Sequence, residues 1–168
     1  FDAQDPPPNF EEHIDLVVRR HQEDEAVSSR TMLIPIVHGS PEVLPKLCAA
    51  IVRRTQPVAI AVPERRLGYG VFERARTVAE IRKALNATGT YTPLHLLGTG
   101  NPISIALYAV AGADSFDGLE WCQTVVDFDT AQLFHLSQSD FFRRQTQWGE
   151  SDLSFSLRTL AHNLEFFS

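Results

Sequence analysis

The sequence predicts an α/β protein built on a parallel sheet, and three observations predict it. Residues 32–38, 57–63 and 93–97 are apolar runs without polar–apolar alternation, the pattern of strands buried on both faces. Stretches with helical spacing of apolar residues separate them, and strands alternating with helices build βαβ units. The unusual residues, His38-Gly39, Pro63-Glu64-Arg65, Gly98-Thr99-Gly100 and Phe116-Asp117, fall at the strand ends. A doubly wound sheet and a (β/α)8 barrel both fit, and polar groups at several successive strand C-termini are the barrel-enzyme arrangement.

Residues 1–9 are proline-rich and end in Asn9, a good helix N-cap. Phe10, Ile14, Val17 and Val18 recur at helical spacing, which predicts a helix over 10–27. The run Met-Leu-Ile-Pro-Ile-Val-His at 32–38 is the first strand. Gly39-Ser40-Pro41-Glu42 then reads as a turn and helix start, with Ser40 as N-cap, Pro41 in the first helical position and the helix running through Val52. The strand at 57–63 leads into a Gly- and Arg-rich loop from Glu64 to Gly70. A helix over 72–86 turns Phe72, Val78, Ile81 and Leu85 inward, and Gly89 ends it.

The strand 93–97 runs into Gly98-Thr99-Gly100-Asn101-Pro102, followed by a small apolar helix over 103–111. A fourth short strand lies around Ser115 to Trp121. Residues 130–148, rich in Gln and Phe, read as a loop with one short helix, and an amphipathic helix over 152–167 closes the chain. Residues 1–128 are taken as a partial barrel, with 129–168 as a loop-and-helix extension of the same domain.

The 168 residues are enough to bury roughly two thirds of the unfolded surface. At 43% hydrophobic and 21% charged, the composition is that of a globular chain and excludes disorder. No apolar run reaches the ~20 residues of a membrane span, and the first residues have neither the basic nor the apolar region of a signal peptide. Two cysteines, Cys48 and Cys122, make no disulfide framework, so a reducing, cytoplasmic setting is expected. The start at Phe1 instead of Met suggests less than a whole natural protein.

Fifteen basic against twenty-one acidic residues give a net charge of −6, a poor balance for wrapping nucleic acid, where phosphates call for Lys and Arg. Arginine nevertheless comes in pairs, Arg19-Arg20, Arg53-Arg54, Arg65-Arg66 and Arg143-Arg144. Such pairs suit bidentate phosphate or carboxylate recognition, or else solvate a helix face.

Taken together, the strand ends resemble the tRNA-guanine transglycosylases. His95-Leu96-Leu97-Gly98-Thr99-Gly100-Asn101-Pro102 is similar to that family's seventh-strand signature, an apolar run into Gly-x-Gly-x-Pro. Gly112-Ala113-Asp114-Ser115-Phe116-Asp117 is similar to its eighth strand, ending in Phe-Asp. Leu33 to Ser40 resembles the fifth, Phe1-Asp2 with Pro6 the end of the fourth, and Leu160 to Leu164 with Phe167 the C-terminal helix. The resemblance spans nearly the whole chain, and the five motifs keep their order. It implies the second half of a TIM-type (β/α)8 barrel, strands four to eight plus a C-terminal helix. A whole barrel takes ~250 residues.

The implied chemistry is base exchange in nucleic acid, tRNA or DNA, with a 7-deazaguanine of the preQ0 or queuine type replacing guanine. The family's nucleophile, the Asp of Phe-Asp, falls on Asp117. A carboxylate is competent at an oxocarbenium-like centre and leaves again readily; on the residues alone, Asp117 is equally a loop cap. Asp2 matches the carboxylate that reads the guanine edge of a flipped-out nucleotide. His38 stands where the family places a base-contacting Gln, and it offers one hydrogen bond in place of two. Glu64 supplies a side-chain acceptor for the base edge, or is neutralised by Arg65. Gly98 is the remaining residue assigned to the base, while Arg65, Arg66 and Gln123 are assigned to the nucleic acid.

The departures matter as much. Pro63-Glu64-Arg65 replaces the family's Gly-Gly-Leu, and Trp121-Cys122-Gln123 replaces Pro-Thr-Arg. Of the family's zinc ligands only His162 remains, with Cys122 the one cysteine between it and Asp117. A structural zinc takes four ligands, so no metal and no other cofactor is expected, and His162 caps or packs in the last helix. Cys48 reads as a small buried hydrophobe. These departures resemble the divergent 7-deazaguanine DNA transglycosylases. The family's general base belongs to earlier strands, so the missing N-terminal half or a partner chain is an expected partner and a homodimer is possible. No membrane is involved. The competing expectations are a non-catalytic, partner-binding half-barrel and an unrelated barrel hydrolase or lyase using His38, Glu64 and Asp117.

Overall fold

The computed structural model describes residues 9–27, 32–127, 129–130, 132–135 and 151–168. The chain is mixed α/β. It forms two compact units, the first of residues 1–98 with 107–117 and the second of residues 99–106 with 118–168.

The first unit holds a small parallel sheet flanked by helices. Helix α1 (Phe10–Val27) is followed by α2 (Leu44–Thr55), β1 (Ile60–Pro63), α3 (Gly70–Asn86), β2 (Leu94–Leu97), the second half of α4 (Pro102–Ala111) and β3 (Ser115–Phe116). The spatial order is β1-β2-β3, all parallel. Residues 35–37 lie on the outer side of β1, joined by one parallel bridge, Ile36 to Ala61. These four segments therefore follow sequence order, without the reversal of strand order that defines a doubly wound sheet.

Alternate residues divide the sheet into two faces. Val37, Ile60, Val62, Leu94 and Leu96 are fully buried and share one core cluster with Ile14, Val17 and Val18 of α1, Leu47, Ile51 and Val52 of α2, and Val78, Ile81 and Leu85 of α3. Phe116 packs against that cluster from β3. The intervening row, Ile36, Ala61, His95 and Ser115, stands outside it, and His95 Nδ1 lies 2.8 Å from Ser115 Oγ.

Several sequence expectations shift here. The strand expected over 32–38 pairs only at 35–37, through Val37 N to Ala61 O and Ala61 N to Pro35 O. Pro35 has no N–H to carry the ladder further toward the N-terminus. The helix expected to start at Ser40 and Pro41 begins at Leu44, after a turn in which the Ser40 carbonyl accepts from the Val43 and Leu44 N–H groups at 3.1 Å each. The loop after β1 contains a 3-10 turn, Glu64–Arg66. The fourth strand, expected to reach Trp121, stops at Phe116.

The second unit carries an antiparallel hairpin, β4 (Thr124–Val126) with β5 (Leu133–His135), and helix α5 (Asp152–Phe166). Strand β5 lies inside the stretch expected to be loop, and residues 136–150 lie outside the described residues. Ser151 caps α5 by accepting the Ser154 N–H at 3.2 Å. Fully buried Asn163 holds α5 to the hairpin: its Nδ2 donates to the Trp121 and Thr124 carbonyls at 2.6 Å each, and its Oδ1 accepts from Val126 N at 3.2 Å. Among the described residues no helix is long and apolar enough to cross a membrane.

Candidate functional site

The sheet register places four expected site residues on one edge. Ile36, Ala61, His95 and Ser115 are successive register partners. Two residues further along each segment stand His38, Pro63, Leu97 and Asp117, at the carboxyl ends of four parallel segments. Glu64 and Gly98 follow directly. In open α/β folds and barrels alike, this edge is where ligands bind. Three strand spacings of ~4.8 Å put His38 and Asp117 about 14 Å apart, with Glu64 and Gly98 between them.

Asp117 is exposed, and its backbone N–H donates to Leu96 O at 3.3 Å. Its Oδ1 accepts the backbone N–H of Gly98. Gly98 has φ +79, left-handed backbone that favours glycine. That conformation turns the chain out of the strand just after the N–H that Asp117 accepts.

Glu64 is paired, but not with Arg65. Its Oε1 accepts from Arg74 Nη1 at 2.8 Å and from the Tyr108 hydroxyl at 3.1 Å. Arg74 is fixed a second time by its Nε, which donates to Gly68 O at 3.0 Å. Burial pulls the Arg74 pKa down, but Glu64 and Tyr108 outweigh it and the net shift is upward. Arg65 is exposed and Arg66 half-buried in the 3-10 turn.

His38 is fully buried, and near it on α1 lies His13, 4% exposed, with a buried Nε2 that has no hydrogen-bond partner among the described residues. Burial first, and the neighbouring His38 second, lower the His13 pKa below its ordinary value. On the flank of the sheet, Arg82 donates to Gly112 O at 2.8 Å, to Thr92 O at 3.0 Å and to the Asp114 carboxylate. Asp114 also accepts from Leu94 N at 2.7 Å and from the Tyr91 hydroxyl, whose pKa that hydrogen bond raises.

Gln123 is exposed in the second unit, next to a 3-10 turn, Glu120–Cys122. His162, on α5, places Nε2 2.6 Å from Val126 O, where it donates to that carbonyl. Among the described residues no three His, Cys, Asp or Glu side chains converge as a metal site would require. Asp2 lies outside the described residues.

Sequence reasoning missed His13, Arg74, Tyr108 and Asn163. His13 had a usable signal, since it shares the buried stripe of α1 with Ile14, Val17 and Val18. Arg74 and Tyr108 had none, because their partner Glu64 lies 10 and 44 residues away.

The fold and this edge define the chain as an α/β protein whose polar strand ends converge on one side of a parallel sheet. No protein-family model matches the sequence, and no curated protein matches it.

Proposed function

We propose that this chain is the carboxyl-edge part of a (β/α) barrel guanine transglycosylase, exchanging guanine for a 7-deazaguanine base in tRNA or DNA. The observation that carries the reading is the common register of His38, Pro63, Leu97 and Asp117, with Glu64 and Gly98 one residue beyond, at the ends of segments that follow sequence order. The order without reversal supports a barrel over a doubly wound sheet.

Asp117 is the nucleophile. One carboxylate oxygen is anchored by Gly98, and the other attacks the anomeric carbon as the bond to guanine N9 breaks. Guanine leaves with the bonding pair and takes a proton. The incoming 7-deaza base then attacks the same carbon through its own ring nitrogen, which gives up its proton, and the aspartate carboxylate departs. Glu64 supplies a hydrogen bond to the base edge, joined by Asp2, while His38, fully buried, backs the edge without contacting the base. Arg65, Arg66 and Gln123 contact the polynucleotide.

The test incubates the full chain with guanine-containing tRNA, with duplex DNA and with labelled guanine or preQ0, beside Asp117→Ala. Label should enter one polymer with the wild type and neither with the variant. Label entering neither polymer with the wild type overturns the reading, and label entering equally with Asp117→Ala removes Asp117 from the nucleophile's role.

A further inference from the structure

We infer that Arg74 and Tyr108 are positioning residues for base recognition, holding Glu64 as a fixed carboxylate acceptor at the end of β1. The inference rests on the transglycosylase reading of this edge and extends it to two residues that do not touch the substrate.

Glu64 Oε1 receives both the Arg74 guanidinium and the Tyr108 hydroxyl. A carboxylate has about four lone-pair sites on two oxygens. With Oε1 occupied twice, Oε2, which has no donor among the described residues, is left to accept an N–H from a ligand. The ligand chemistry that fits is a planar heterocycle with a ring N–H or exocyclic amine on its edge, as guanine has. The Glu64 side chain is 17% exposed, so it keeps a path to solvent while most of its surface is enclosed.

Core packing does not account for the network. Tyr108 is fully buried, and Phe would fill the same space on α4. The hydroxyl donates to a carboxylate at the strand end. Arg74 is held at both Gly68 and Glu64, so it ties the 64–68 loop closed and limits the rotamers of Glu64. A charged acceptor restrained from both sides pays less ordering entropy on binding than a freely rotating one.

The experiment measures equilibrium binding of free guanine and steady-state base exchange for wild type, Tyr108→Phe, Arg74→Lys and Glu64→Gln, with thermal unfolding of each. Tyr108→Phe and Glu64→Gln should weaken guanine binding and raise KM about tenfold, the effect of one ordinary hydrogen bond, with kcat nearly unchanged. Arg74→Lys, which can reach Glu64 but not also Gly68, should fall between them and wild type. Wild-type guanine affinity and KM in all three variants overturn the inference while leaving the transglycosylase reading intact, even if melting temperatures drop. A wild-type protein that neither binds guanine nor exchanges it overturns both.

Discussion

The Asp117 carboxylate is fastened to the Gly98 backbone N–H, so the residue just after β3 and the residue just after β2 are joined across the sheet edge. The contact leaves the side chain exposed. It combines a restrained orientation with access, which a nucleophile needs.

Asp117→Asn separates these two roles. The Asn side-chain oxygen can still accept from Gly98, so unfolding in urea should change by less than about 1 kcal/mol, within the net worth of one hydrogen bond. Base exchange should drop by roughly 10⁴-fold or more, as when a nucleophile is removed. Activity kept in Asp117→Asn would mean that its carboxylate serves the fold and not the chemistry.

Gly98 and Gly100 should respond differently to alanine, because each is glycine for a different reason. Gly98 has φ +79 with open space where a Cβ would stand, so Gly98→Ala should cost about 1 kcal/mol of backbone strain. A Cβ on Gly100 would lie 2.7 Å from the Glu120 backbone N, and backbone must move, so Gly100→Ala should cost about 1–3 kcal/mol. Urea midpoints for the two variants, measured side by side, check the order.

Arg82 ties three backbone or carboxylate groups together at 12% side-chain exposure, against Asp114 at 28%. Arg82→Met keeps much of the aliphatic stem and removes the charge, leaving Asp114 and the Gly112 and Thr92 carbonyls short of a donor. A loss of about 3 kcal/mol is expected, in the range for breaking a largely enclosed pair. A double-mutant cycle with Asp114→Asn should show coupling above about 0.5 kcal/mol, whereas strict additivity would mean that the pair does not stabilise the fold.

The buried His13 predicts an acid weakness. Its folded-state pKa lies below the ordinary value of 6.5, so the unfolded chain binds the extra proton first as pH falls. The stability tied to neutral His13 is complete above pH 6.5 and declines as pH drops through 6.5 toward the lower folded-state value. His38 is the titratable group acting on it, and protonating both imidazoles would add repulsion to the cost of burial. Stability curves from pH 7.5 to 5 should be flatter for His13→Leu than for wild type, and equal slopes would contradict the assignment.

The two cysteines should differ in reactivity. Burial pushes the Cys48 thiol up to about 12, so almost no thiolate forms there at pH 8. Cys122 is half-buried, its Sγ donating to Leu119 O at 2.9 Å. Iodoacetamide on the folded chain should label Cys122 and spare Cys48, and denaturant should expose both.

The helices were legible in the sequence because periodicity and burial are the same fact seen twice: Ile14, Val17 and Val18 repeat at helical spacing and all lie in the core. The strand interiors were legible for a like reason, as unbroken apolar runs. Ladder lengths were not, since they depend on what a neighbour can pair with, and Pro35 cuts one ladder to a bridge. The hairpin of β4 and β5 was missed because each strand is three residues long and no two-residue turn joins them. At the strand ends, residue types marked His38, Glu64, Gly98 and Asp117, but not the partners, which come from helices far along the chain. Glu64 shows the limit, since its neighbour Arg65 was the obvious cation and Arg74 is the one that pairs with it.

The shared register makes the four sheet segments rulers of equal length. From the row of Ile36, Ala61, His95 and Ser115, two residues lead in each segment to His38, Pro63, Leu97 and Asp117. One residue inserted in any of them would push that end out by about 3.3 Å and swap its two faces. The loops beyond the ends are under no such metric. Variation among proteins built on this plan should therefore collect in loop length and residue choice past the edge, while the count of residues from row to edge stays fixed.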